Sequence, residues 1–84
     1  MLMAVNMPGQ HPEVGALLLL HIYKNVGDRV DIGERLFAYE ADGAVFFENS
    51  TVAGAIERVF AVSGDVVEAG KTVMLKEIFE DGKR

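Results

Sequence analysis

A repeated glycine-aspartate motif constrains this 84-residue chain more than any other feature. Val26-Gly27-Asp28-Arg29-Val30-Asp31-Ile32-Gly33 returns as Ser63-Gly64-Asp65-Val66-Val67-Glu68-Ala69-Gly70 at constant offset. Each copy then runs into an apolar stretch, Leu36-Phe37 in one case and Val73-Met74 in the other. The first glycine of each copy can take a left-handed turn without a Cβ clash, and the aspartate carboxylate can accept bonds from nearby backbone amides. The valine then points back into the core, and the second glycine makes the next turn. A solenoid needs at least three repeats to bury a continuous core. Two copies therefore predict one quasi-twofold domain built from two similar β units.

The stretches around the repeats are of strand length. Residues 35–40, 44–48, 55–60 and 72–78 are rich in β-branched and aromatic side chains that suit a pleated surface. Residues 16–23 fit a strand or, by periodicity alone, a helical turn; the bracketing Gly15 and Gly27 favour strand. Asp42-Gly43 between strand-formers predicts a two-residue hairpin turn of type I′. The interval from Gly15 to Gly27 is longer by two residues than that from Gly54 to Gly64, which predicts a bulge or longer turn there.

One core is all this length allows, and a deep active site with several substrates is excluded. Half of the residues are hydrophobic and a quarter charged, an ordinary mixture for a folded domain. With 13 acidic and 8 basic side chains the net charge is −5, which repels phosphate backbones and anionic headgroups, so no nucleic-acid partner is expected. There is no cysteine, hence no disulfide, thiolate nucleophile or thiolate metal site. The longest apolar run, residues 14–22, is far below the roughly 20 residues of a membrane-spanning helix, and no lysine or arginine precedes Lys24. These features predict no membrane insertion, no export signal and a cytoplasmic location. Residues 1–79 should form the domain and residues 80–84 a charged tail.

The ordered set of motifs resembles the biotinyl/lipoyl-domain family, the swinging-arm carriers of biotin-dependent carboxylases and 2-oxo acid dehydrogenase complexes. Met7-Pro8, Gly15 and Val26 through Leu36 match the family's opening elements. Glu40-Ala41-Asp42-Gly43-Ala44 stands where the family has Glu-Thr-Asp-Lys-Ala, and Val52-Ala53-Gly54-Ala55-Ile56 matches its Val-Ala-Gly element. The resemblance implies an all-β fold: a flattened β-barrel, or barrel-sandwich hybrid, of two roughly four-stranded antiparallel sheets with pseudo-twofold symmetry. It also implies that the loop from Pro8 to Gly15 lies beside the hairpin tip, where it helps partner enzymes recognise lipoylated relatives.

The departure from the family falls on its chemistry. Gly43 stands at the attachment-lysine position, so the tip Asp42, Gly43, Ala44 offers no amine for a ligase to acylate. The chain is expected to carry no cofactor, to take no small-molecule substrate and not to be an enzyme. Its predicted role is a protein-interaction or structural module, with a protein partner or as a homo-oligomer. The alternative is a carrier domain of a carboxylase or dehydrogenase complex whose lysine has been lost or removed.

Other residue clusters carry weaker signals. Adjacent strand residues face opposite ways, so one of Phe46 and Phe47 must be exposed, and the run Leu17 to Leu20 cannot all point inward. Leu17, Leu19, Phe46 and Phe47 are therefore the candidate contact surface. His11, Glu13 and His21 lack the fixed spacing of a metal site, and none is expected. Glu40, Asp42 and Glu48 near the tip read as a solvated acidic face rather than an acid/base pair. Ser50 and Ser63 have no base that the sequence identifies.

Overall fold

The computed structural model describes residues 1–9 and 15–79. The glycine-punctuated stretches become eight strands: β1 Leu2–Asn6, β2 Ala16–Ile22, β3 Arg29–Val30, β4 Arg35–Ala41, β5 Ala44–Asn49, β6 Gly54–Val59, β7 Val66–Glu68 and β8 Thr72–Ile78. They form two four-stranded sheets, ordered β1-β8-β6-β3 and β5-β4-β2-β7, and all strand pairs are antiparallel. The two sheets pack face to face as a flattened sandwich, as the resemblance implied. Residues 16–22 are strand and not helix.

The two orders are the same order under one exchange, β1 with β5, β2 with β6, β3 with β7 and β4 with β8. This is the pseudo-twofold axis that the repeat foretold. The hydrogen bonds obey it atom for atom. Gly27 N–H donates to Ile56 O and Gly64 N–H to Leu19 O, at 2.8 and 2.7 Å. Asp28 O accepts from Ile56 N–H, and Asp65 O from Leu19 N–H. The aspartate carboxylates close the same turn twice: Asp28 Oδ2 accepts from Asn25 N–H at 2.7 Å, and Asp65 Oδ2 from Val62 N–H at 3.0 Å. Gly27, Gly33, Gly64 and Gly70 all have positive φ, between 88° and 97°, which an L side chain adopts only with strain. Val30 is fully buried and Val67 packs on the core.

The symmetry corrects one expectation. The strand pairing does shift register between Leu19 and His21, but the same shift recurs between Ile56 and Arg58. The bulge thus belongs to both halves and does not absorb the extra interval after Gly15. The hydrogen bonds make Leu19 the equivalent of Ile56, so the position equivalent to Gly54 is Leu17, and the two extra residues, Gly15 and Ala16, fall at the entry to β2.

The core is built from the inward rows: Val5, Met7, Leu17, Leu19, Val30, Leu36, Phe37, Tyr39, Ile56, Val73 and Met74. Gly54 lies where β6 crosses closest to β8, and a Cβ there would collide with the Glu77 carbonyl. Only glycine permits that approach. Among the described residues no helix is long and apolar enough to cross a membrane. The expected tail, residues 80–84, lies outside the described residues.

Candidate functional site

The hairpin between β4 and β5 is the position to which the sequence points. Its last strand pair is Ala41 with Ala44, leaving Asp42 and Gly43 as a two-residue loop. Their φ values are 53° and 82°, the two positive angles that define a type I′ turn. Asp42 is the only non-glycine with positive φ among the described residues. Both tip residues are exposed. A Cβ on Gly43 would meet no heavy atom within 4 Å, so the tip has room for a side chain that it does not carry.

The four candidate contact residues divide differently from expectation. Leu17 and Leu19 are core residues, 1% and 0% exposed, and cannot form a surface. Their strand neighbours Leu18 and Leu20 are the half-buried ones. The reason is the pseudo-twofold: Leu19 mirrors inward-facing Ile56, which sets the facing of the whole strand. Phe46 also turns inward, its ring stacked on Tyr39 with centroids 5.5 Å apart and planes 22° apart. Phe47 is the exposed member at 44%, and Arg35 lays its guanidinium over the ring, 3.7 Å from the centroid. Beside it in the register, Ala38 links Phe47 to His21, whose ring meets Tyr23 edge-on at 4.5 Å. Val45, 55% exposed, completes the outward row of β5 near the tip.

The acidic residues do not converge. Asp42 is exposed at the turn, and Glu40 sits on the outer face, opposite Leu18 and Val45. Glu48 alternates inward instead, toward Lys76. No group of three or more His, Asp or Glu suited to a metal occurs among the described residues. His11 and Glu13 lie outside them, as does most of the loop from Pro8 to Gly15.

Sequence reasoning missed Lys76. It is 1% exposed, and its ammonium donates to Ser50 Oγ at 2.7 Å. The Ser50 hydroxyl in turn donates to Val52 O at 2.6 Å. Ser50 therefore has a lysine beside it after all, but its proton is committed to a carbonyl and the residue is buried, an arrangement that stabilises the β5–β6 connection. Burial lowers the Lys76 pKa and raises that of Glu48; the opposite charge of each partly restrains the other. Burial, and then the Glu48 charge, also raise Tyr39. A cavity of about 100 Å³ adjoins the pair, lined by Met3, Val5, Leu36, Glu48, Asn49 and Lys76 among others. The signal was present in Met74-Leu75-Lys76, where the lysine shares the inward parity of Met74.

With the geometry in hand, comparison with known proteins places the chain. A family model described as "Biotin-requiring enzyme", the biotin/lipoyl family, matches residues 3–75. The chain belongs to this family. Among solved structures it is similar to the lipoyl domain of the 2-oxoglutarate dehydrogenase complex from Azotobacter vinelandii. That match has a TM-score of 0.75 at 20% identity, covering 94% of this chain and 98% of that one. A search of curated proteins found no relative. The biotin/lipoyl fold is thus established, and within it this member has glycine at the turn where the resemblance places the lysine.

Proposed function

We propose that this biotin/lipoyl-family domain is neither acylated nor catalytic and works by protein contact, as a docking or structural module. The observation that carries this reading is the bare tip. Gly43 supplies no amine, and the other described lysines, Lys24, Lys71 and Lys76, lie off the turn, with Lys76 buried. The exposed apolar residues beside the tip, Val45 and Phe47, support contact as the role.

The test is to co-express Gly43→Lys with a biotin or lipoate ligase and weigh the intact product. The variant has space at the tip, and its positive φ costs about 1 kcal/mol, so it should fold. Folded but unmodified variant is the expected result. Efficient acylation would favour a carrier domain that has lost only its lysine, and a prosthetic group on the natural chain would overturn the reading outright.

A further inference from the structure

We propose that two copies of this chain join through the outer edge of β5, which pairs antiparallel with itself about a twofold axis and extends the β5-β4-β2-β7 sheet across both. This rests on the reading of the chain as a contact module and names its partner. β5 is six residues long and hydrogen-bonds to β4 on one side only. In a two-residue hairpin the pair flanking the turn, here Ala41 and Ala44, exchanges hydrogen bonds, and the bonding then alternates along the strand. The backbone N–H and C=O groups of Val45, Phe47 and Asn49 therefore point away from β4. β5 is the end strand of its sheet, and no backbone hydrogen bond from a turn or loop among the described residues reaches these groups.

What fits such an edge is another strand, because only a strand supplies donors and acceptors at the same spacing. Of the other edge strands, β3 and β7 have only two and three residues and β1 has five, which makes β5 the longest. β5 has no proline, and its outward row from the tip, Val45 and Phe47, is uncharged and exposed.

A second copy is favoured over a foreign strand by charge and by register. A chain of net charge −5 can approach its own copy closely only where it presents no carboxylate. On β5 itself the one carboxylate, Glu48, turns inward toward Lys76; Glu40 stands one strand back on β4, Asp42 lies at the turn, and the cation over Phe47 is Arg35. For a continuous sheet the twofold must stand perpendicular to it, so facing residues share parity. The register centred on Phe47 sets Phe47 against Phe47 and Val45 against Asn49, and it alone employs every outward backbone group of the strand.

Molar mass measured by sedimentation across a concentration series, with amide hydrogen exchange at each concentration, tests this. The expected result is a passage from one chain to two, with Val45 and Phe47 amides gaining protection in step. Phe47→Lys sets like charges face to face and should weaken the dimer by about tenfold or more while leaving the amide spectrum of the monomer intact. Val45→Lys combined with Asn49→Glu places opposite charges across the axis and should retain the dimer, which fixes the register. One chain at every concentration would overturn the proposal. So would a dimer protected along β1 or β7, or protection of β5 that ignores concentration. An acylated natural chain would sink the functional reading while leaving the pairing as measured.

Discussion

Lys76 and Tyr39 occupy equivalent places in the two halves and meet the same packing need with opposite chemistry. Tyr39 fills its site with a ring stacked on Phe46; Lys76 fills the other with its aliphatic stem and ends on Ser50. The ammonium is paid for in desolvation, and Glu48 shares that cost. Because Glu48 is raised above the ordinary carboxylate value of 4.5, the native state holds more protons than the unfolded one just above that pH. Stability should therefore fall as pH rises from the unfolded pKa through the folded one. In urea titrations over that range, Glu48→Gln should flatten the slope. Lys76 acts in the reverse sense: its lowered pKa makes stability rise as pH climbs toward 10.5. A second residue-scale test concerns facing. Leu19→Ala should cost about 3 kcal/mol by the usual toll of an emptied core site, and Leu18→Ala well under half of that. Equal losses would mean that β2 is turned over.

At the scale of elements, the turns are the parts the chain writes most explicitly. Asp28 and Asp65 each close a loop that delivers the next strand, and each bonds a backbone amide three residues earlier. Asp28→Ala and Asp65→Ala should each lower the unfolding free energy by about 1 kcal/mol, and the double variant by the sum, since the two turns share no partner. Guanidinium melts of the three variants would check both claims. Turns were legible because their chemistry is local: Gly-Asp and Asp-Gly dictate φ without help from distant residues. Strand facing was not legible in the same way. Parity within Leu17 to Leu20 is set by which neighbour covers the strand, and nothing inside four leucines marks it. Extending the repeat upstream, so that Leu19 aligns with Ile56, would have resolved it. Lys76 was hidden for a related reason: a charged residue at an inward position is read as outward until its partner Ser50, 26 residues away, is seen.

At the scale of the whole molecule, the architecture followed from the repeat and the ordered motifs, and the two-residue turn at Asp42-Gly43 from its local sequence. Exposure was harder to read than architecture: of the four candidate contact residues only Phe47 is exposed, whereas Leu17 and Leu19 are in the core and Phe46 packs against it. Surfaces are harder to read because burial rewards one face of a strand and leaves the other free to vary.

The exchange of halves has one more outcome. It carries the β4–β5 hairpin onto the pairing of β8 with β1, where Ile78 N–H donates to Met1 O at 2.9 Å. The first and last strands thus meet as neighbours, in the way the strands of a hairpin do, with no loop between them. Topologically the domain is a ring that happens to be opened there. A short turn sequence joining the two ends, with a new opening cut at Asp42-Gly43, would yield a circular permutant with the same strand neighbours, in which the bare tip has become a pair of free termini.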